Sequence, residues 1–231
     1  MTRFFGQPIR RNEDPRLLTG QALFVDDVQL PEMAHAAFLR SPYAHAQILH
    51  IDVSTALARP GVLAAYTAVD LGDYWQPGPL LVSPPPIAGI EFNQRNQVPL
   101  AKDKVRFAGE PVVMVVAENR YLAEDALQDI RVDYDPLPVV ADLEIALESE
   151  SSLVHDDLET NLCTHVVQTK GDYRAVSQEA AVVIRREFFY DHGAAAAMEN
   201  RGIVAQWDHR GRRLTIWDTT QAPIPIRNGL A

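Results

Sequence analysis

Cysteine is almost missing from this sequence, since Cys163 is the only one in 231 residues. An internal disulfide and a four-cysteine zinc or iron–sulfur site are therefore excluded. The sequence also lacks a run of about 18 apolar residues that could span a membrane, and its N-terminus lacks the apolar segment of an export signal. We therefore expect a cytoplasmic protein in which Cys163 is a buried, inert thiol.

Positive charge is the second shortage. The chain has 21 Lys and Arg against 31 Asp and Glu, which gives a formal net charge of −10. Because the basic residues are scattered along the chain, the sequence disfavours a nucleic-acid partner. The one local cluster, formed by Lys102, Lys104 and Arg106 around Asp103, is interpreted as a solvated edge.

Motifs for metal or nucleotide binding are also scarce. The seven histidines form no H-x-H or H-E-x-x-H pair, and none lies at ligand spacing from Cys163, which disfavours a metal held by side chains. Neither G-x-x-x-x-G-K-[ST] nor G-x-G-x-x-G is present. Glu110, between Gly109 and Pro111, leaves two alternatives open: an acid that faces a ligand or, as we favour, part of a turn before a strand.

Apolar residues make up 47% of the chain, enough for a packed core. Their pattern predicts strands at 33–40, 46–53 and 62–66. A short helix is predicted between the last two strands, with Ser54 as its N-cap. Two proline clusters, at 76–79 and 83–86, exclude regular structure and predict a long loop, which in a compact domain is usually functional or a contact surface.

The clearest unit of the sequence is 111–135. The apolar run 112–117 predicts a strand covered on both faces. Asn119 is the predicted N-cap of a helix that continues to about Ile130. Alternating apolar and polar residues at 130–135 predict a second, half-buried strand. Because a helix connects the two strands, we expect them to be parallel.

The second half of the chain follows a polar segment of small residues, 147–152, which predicts a domain boundary. After this boundary the patterns predict a strand, a helix, a long strand and a hairpin, in that order, at 164–169, 172–179, 181–190 and 203–217.

Four alanines at 194–197, flanked by glycines, expose bare backbone before the hairpin. Bare backbone suits close approach by a ligand or by another chain. Close packing of small residues within the protein explains the segment equally well. Glu199 and Arg201 follow directly and are predicted to form an ion pair, either buried or exposed.

The hairpin is predicted to end in a polar Thr-Thr-Gln corner before a segment that Pro223 opens. Gln221 can donate and accept hydrogen bonds through its amide. From the residues alone, a solvated glutamine at a strand end is favoured. The alternative is a ligand site that begins at Gln221 and is completed elsewhere.

Eight motifs follow one another through nearly the whole chain: DPRLLTG at 14–20, FVDDVQLP at 24–31, HAAFLRSPYAH at 35–45, VRFAGEP at 105–111, AEDA at 123–126, VDYDPLP at 132–138, MENRG at 198–202 and TQAP at 220–223. Together they resemble the N-terminal part of the large subunit of the molybdenum hydroxylases. This family includes aldehyde oxidase, xanthine dehydrogenase and carbon monoxide dehydrogenase.

The resemblance implies a mixed α/β (α+β) fold with three parts: an N-terminal arm at 1–19, an a/b hammerhead domain at 20–145 and a partial first molybdopterin-binding domain at 155–231. Gln221 occupies the place of the glutamine in the family's T-Q motif, which hydrogen-bonds an oxo ligand of molybdenum. The resemblance therefore implies that Gln221 is a cofactor-binding residue. It assigns neither a catalytic residue nor a protein ligand of the metal to this chain.

The family hydroxylates its substrate with water as the source of oxygen and a glutamate as the base. In the family, a glycine-rich G-G-G-F-G-G segment and this glutamate follow the T-Q motif, and neither is in this sequence. Ala197 replaces a proline that many relatives have.

The resemblance thus implies a fragment or split subunit that is inactive alone and acts on an aldehyde, an N-heterocycle or carbon monoxide. Its expected partners are a chain with the rest of the large subunit, an FAD-binding medium subunit and a [2Fe–2S] small subunit. The expected docking surfaces are 194–197 and the C-terminal edge. The alternative is a non-catalytic interaction or folding module, or a truncated and inactive gene product.

Overall fold

The computed structural model describes residues 4–78, 89–191 and 193–230. Part of the predicted proline-rich loop lies outside these ranges, namely Pro79 and the cluster at 83–86, and so do His192 and Ala231. The chain divides into two compact units. The smaller unit combines Met1–Pro31 with Glu187–Ile226, and the larger unit combines Glu32–Arg186 with Arg227–Ala231. The expected boundary at 147–152 falls inside the larger unit and stays a prediction about family domains.

The described residues form strands and short helices, which confirms the mixed α/β class. The strands are β1 His35–Arg40, β2 Ala46–Asp52, β3 Val62–Tyr66, β4 Glu91–Phe92, β5 Lys104–Val105, β6 Pro111–Ala117, β7 Arg131–Pro136, β8 Thr164–His165, β9 Ile203–Asp208 and β10 Arg213–Asp218. The α-helices are α1 Asp14–Leu18, α2 Ser54–Leu57, α3 Arg120–Ala126, α4 Tyr173–Glu179 and α5 Pro223–Leu230. Three short 3-10 turns lie at Val25–Asp27, Gly72–Tyr74 and Leu127–Asp129.

The core of the larger unit is built around β6. This strand lies between β1 and β3 and is antiparallel to both. Val112, Val113 and Val115 are fully buried, because the sheet covers the edges of β6 and side chains from its neighbours cover its faces. The prediction of a buried strand at 112–117 is confirmed.

The predicted parallel pairing of β6 with β7 is wrong. Both hydrogen-bonding edges of β6 are already occupied by β1 and β3. The second strand, β7, pairs antiparallel with β2 in another sheet, of order β5-β2-β7. The connecting helix α3 therefore joins two sheets instead of crossing over one.

One of the two predicted helix caps is confirmed. The side chain of Asn119 accepts a hydrogen bond from the backbone N–H of Leu122 at 3.0 Å, which caps α3. Ser54 is not a cap, because α2 begins one residue earlier than a serine cap requires, with Val53 at the N-cap. Instead, the backbone N–H of Ser54 donates a hydrogen bond to the carboxylate of Asp52 at 2.9 Å.

The predicted long strand at 181–190 is also wrong. None of the described residues between 181 and 191 is in a strand, and Ile184, Phe188 and Tyr190 are exposed by 75%, 88% and 93%. A strand needs a partner for its backbone groups, and none of the described strands pairs with this segment. The predicted strand at 164–169 is likewise reduced to β8, which has two residues.

Two other predictions for the second half are confirmed. The helix α4 begins one residue after the predicted start and ends at the predicted Glu179, because Asp172 is its N-cap and its carboxylate accepts from the N–H of Ala175 at 3.0 Å. The hairpin of β9 and β10 runs in continuous antiparallel register from Ile203, opposite Asp218, to Asp208, opposite Arg213. The predicted irregular arm at 1–19 is irregular only in part, since it contains the short helix α1.

Candidate functional site

The Thr-Thr-Gln corner lies in the smaller unit between β10, which ends at Asp218, and α5, which begins at Pro223. Thr219 is held by two hydrogen bonds to the loop 199–202. Its backbone N–H donates to the carbonyl of Gly202 at 3.1 Å, and its hydroxyl donates to Oε1 of Glu199 at 3.2 Å. The first residue of the corner is therefore fixed to an adjacent loop.

The second residue of the corner shapes the turn into α5. The hydroxyl oxygen of Thr220 accepts a hydrogen bond from the N–H of Ala222 at 2.9 Å, which closes a local side-chain turn. Pro223 then opens the helix, where its missing N–H costs nothing. Thr220 thus uses its polar group within the corner itself.

Gln221 is the member of the corner whose polar side chain stays available. It is exposed, and its amide has no hydrogen-bond partner among residues 4–78, 89–191 and 193–230. A primary amide can donate two hydrogen bonds and accept others. The corner therefore presents one free amide, and the chemistry of that group fits a ligand oxygen atom.

The loop before the hairpin exposes its backbone and side chains. Residues 194–197 are exposed, and so is Met198. The predicted ion pair between Glu199 and Arg201 is not among the ion pairs that the described residues form. Glu199 instead uses its carboxylate for the corner and for the N-terminal segment.

The N-terminal segment packs against the same loop within the smaller unit. Oε1 of Glu199 accepts a long hydrogen bond from the N–H of Val25 at 3.5 Å, at the start of the 3-10 turn Val25–Asp27. A Cβ atom at Gly202 would lie 3.1 Å from Cγ1 of Val25. A larger residue at position 202 would therefore require the Val25 side chain to shift by a few tenths of an ångström.

A second candidate site is an open pocket of about 900 Å³ in the larger unit. Two ion pairs form among its lining residues, between Lys104 and Asp156 and between Arg95 and Asp157, each at 2.5 Å. Lys104 is buried, and its hydrogen bond lowers the pKa of Asp156. The prediction of a solvated edge is therefore wrong for Lys104, because a carboxylate 52 residues away covers its ammonium group.

Glu110 lines the same pocket and closes the turn that was predicted at this position. Its carboxylate accepts from the N–H of Arg106 at 2.6 Å, and Gly109 adopts a φ of +91° that favours glycine. Burial raises the pKa of Glu110, and the hydrogen bond from Arg106 lowers it in part. The turn that we favoured is confirmed.

His155 lines this pocket, and His45 interacts electrostatically with the lining residue Asp156. Burial lowers the pKa of His155, and the positive charges of Arg106 and Arg95 lower it further. His45 is buried and its Nδ1 lies 2.7 Å from the carbonyl of Pro138. No group of three or more His, Cys, Asp and Glu able to hold a metal is found in the described part of the chain.

Cys163 is exposed, so the prediction of a buried thiol is wrong. Its backbone is nevertheless fixed, because Asn93 donates its N–H to the Cys163 carbonyl at 2.9 Å and its side-chain amide to the Leu162 carbonyl at 2.8 Å. These backbone contacts place the cysteine at the surface of the larger unit.

Family comparisons agree with the resemblance that the motifs indicated. Residues 19–138 match the family described as "Aldehyde oxidase and xanthine dehydrogenase, a/b hammerhead domain", and residues 154–231 match the "Molybdopterin cofactor-binding domain". The chain is 38% identical to the carbon monoxide dehydrogenase large chain of Afipia carboxidovorans, over 94% of this chain and 27% of that protein. It is 35% identical to the nicotine 6-hydroxylase large subunit of Paenarthrobacter nicotinovorans, over 96% and 26%.

Solved structures give the same result. Quinoline 2-oxidoreductase from Pseudomonas putida 86 aligns with a TM-score of 0.81 and 38% identity, over 94% of this chain and 27% of that chain. A Cu,Mo-CO dehydrogenase aligns with a TM-score of 0.77 and 36% identity, over 97% and 29%.

The fold and the two family matches therefore place this chain in the class of molybdenum hydroxylase large subunits, with a hammerhead domain followed by the start of a molybdopterin-binding domain. More specifically, the chain belongs to the aldehyde oxidase and xanthine dehydrogenase family. It spans about 27% of the length of the curated relatives that it matches. In the described ranges, no helix is long and apolar enough to cross a membrane.

Proposed function

We propose that this chain is the N-terminal part of the large subunit of a molybdenum-cofactor-dependent hydroxylase, and that Gln221 is its contact with the cofactor. One observation carries the assignment of Gln221. Thr219 and Thr220 use their hydroxyl groups within the protein, whereas the amide of Gln221 has no partner in the described ranges. The family match over 154–231 supports the proposed cofactor.

The role proposed for Gln221 is to hold and orient the molybdenum cofactor. Its amide N–H would donate a hydrogen bond to an oxygen atom of the cofactor, and the hydrogen bonds of Thr219 and Thr220 hold the backbone from which that amide extends. The molybdenum cofactor supplies the redox chemistry, which is hydroxylation with water as the source of oxygen. No residue of this chain is proposed as the base.

The proposed substrate class is an aldehyde, an N-heterocycle or carbon monoxide. Relatives named for carbon monoxide and for nicotine support this range. The proposed partners are a polypeptide with the rest of the large subunit, an FAD-binding medium subunit and a [2Fe–2S] small subunit. A cytoplasmic location stays part of the proposal.

The decisive experiment is purification of the native complex, followed by metal analysis and mass spectrometry of its polypeptides. We expect molybdenum together with polypeptide that carries the missing glycine-rich segment. A stable protein without molybdenum and without further large-subunit sequence would contradict the proposal. It would favour the alternative of a non-catalytic interaction or folding module, or a truncated and inactive gene product.

A further inference from the structure

We infer that Glu199 is a positioning residue for Gln221: its carboxylate fixes Thr219, and Thr219 fixes the corner that presents the Gln221 amide. The functional part of this inference rests on the proposed function of Gln221. The structural part stands on contacts within the smaller unit and can be tested without any cofactor.

Two hydrogen bonds from one short loop converge on Thr219. One joins the backbone N–H of Thr219 to the carbonyl of Gly202 at 3.1 Å. The other joins its hydroxyl to Glu199 at 3.2 Å. Because backbone and side chain are both held, Thr219 has little freedom to rotate, and Gln221 follows only two residues later.

The same carboxylate oxygen reaches in a second direction. Oε1 of Glu199 also accepts from the N–H of Val25, at the first residue of a 3-10 turn. A carboxylate is favourable at such a position because the first N–H groups of a turn have no partner within it. Glu199 thus joins the N-terminal segment to the corner through one atom.

Glu199 acts here as a hydrogen-bond acceptor and not as a member of an ion pair. Its two partners are an O–H and an N–H group, and the ion pairs formed by the described residues do not include it. Glutamine keeps a side-chain oxygen in the same place, whereas leucine has a similar size and no acceptor. The pair Glu199→Gln and Glu199→Leu therefore separates hydrogen bonding from size.

The test is residue-resolved hydrogen exchange on the full chain without cofactor. We expect Glu199→Leu to accelerate exchange of the Thr219 and Ala222 amides by about fivefold, the effect of one lost hydrogen bond. Glu199→Gln should stay within about twofold of the unmodified chain. Glu187→Leu is the matched control, because Glu187 is exposed in the same unit, and it should leave these amides unchanged.

A second variant tests the inference from the other side of the bond. Thr219→Val removes the hydroxyl and keeps the shape of the side chain. If the Glu199–Thr219 contact is the cause, Thr219→Val alone and combined with Glu199→Leu should accelerate exchange at Ala222 by the same factor, so that the two changes are not additive. Additive effects would overturn the inference, and so would exchange that rises equally throughout β9 and β10 after Glu199→Leu.

The outcome separates the inference from the proposed function. Local and non-additive acceleration supports the positioning role even if the native complex contains no molybdenum. Conversely, a molybdenum-containing complex in which Glu199→Leu leaves the exchange of Thr219 and Ala222 unchanged would keep the proposed function and remove Glu199 from it.

Discussion

The β6 sheet and the β9–β10 hairpin are both antiparallel, but they are stabilised in different ways. The central strand of the sheet has a neighbour on each side and three fully buried valines, at 112, 113 and 115. The hairpin has two strands and no buried residue. An isolated two-stranded hairpin is marginally stable in water. The corner that carries Gln221 therefore depends on individual hydrogen bonds, whereas the β6 sheet depends on apolar burial.

Hydrogen exchange tests this comparison most directly and should give the largest effect. We expect amides of β6 to exchange at least about a hundredfold more slowly than amides of β9 and β10, because β6 opens only when the larger unit unfolds. The measurement is native-state exchange on the chain alone. Equal protection in the two regions would contradict the comparison and would indicate that the hairpin belongs to a cooperative core.

Replacing a buried valine of β6 by alanine should lower the free energy of unfolding more than the same replacement in an exposed segment. Val113→Ala is expected to lower the free energy of unfolding by about 2 kcal/mol, because Val113 is fully buried in a packed sheet. The matched control is Val182→Ala, whose side chain is 75% exposed and which should change stability by less than about 0.5 kcal/mol. Denaturant unfolding measures both, and equal losses would argue against β6 as the core.

Removing the free amide from the corner should reduce activity and leave stability unchanged. In the native complex, we expect Gln221→Ala to lower kcat/KM by about tenfold or more, the effect of a hydrogen bond to a charged group. Gln206→Ala, on exposed β9, is the control and should have no effect. Unchanged turnover with Gln221→Ala would remove this residue from the site.

Helix caps provide a smaller test of the same contrast between buried and exposed elements, here within the larger unit. Asn119→Ala should destabilise the larger unit by about 1 kcal/mol, because Asn119 caps α3, which packs Ala123 and Ala126 into the core. Asp172→Ala removes the equivalent cap of α4, which has no buried residue, and should change global stability by less than about 0.5 kcal/mol. Thermal or denaturant unfolding compares the two variants.

The smallest expected effect is a dependence of stability on acid pH. The hydrogen bond from Lys104 lowers the pKa of Asp156 in the folded protein. The ionised carboxylate therefore adds stability above the ordinary aspartate range, and this stability is lost as pH falls through the lower folded pKa. The loss is modest because Asp156 is largely exposed.

Unfolding curves between about pH 6 and about pH 3 provide the measurement, since this interval includes the ordinary titration range of aspartate. Asp156→Asn should lose less stability between these pH values than the unmodified chain does. The control is Asp103→Asn, because Asp103 is exposed beside the same lysine and belongs to none of the ion pairs that the described residues form. An equally reduced loss with both variants would contradict the assignment.

Much of the local structure could be predicted because its signals lie within a few residues of each other. The valine-rich run at 112–117 predicted β6, and Asn119, three residues before Leu122, predicted the cap of α3. Two short runs with apolar residues on either side of the polar segment 208–212 predicted the hairpin. The family resemblance of the T-Q motif directed attention to Gln221, which sequence physics alone treated as a solvated residue.

Several errors concern contacts between distant residues. A strand–helix–strand pattern predicted parallel pairing of β6 with β7, but β1 and β3 occupy the edges of β6. Lys104 was expected in solvent, yet Asp156, 52 residues away, covers it. The bond between Val25 and Glu199 spans 174 residues and has no local signature.

The sequence by itself therefore determined β6, the helix α3 with its Asn119 cap, the β9–β10 hairpin and the identity of the polar corner, since these depend on spacing and side-chain type over a few residues. It did not determine the cap of α2 or the conformation of 181–190. Only the tertiary structure decided which strands pair, which charges are buried and which polar groups of the corner are already used. These outcomes depend on competition among distant segments for hydrogen-bonding edges and for shelter from water. That competition engages the Thr219 hydroxyl with Glu199 and leaves the amide of Gln221 exposed.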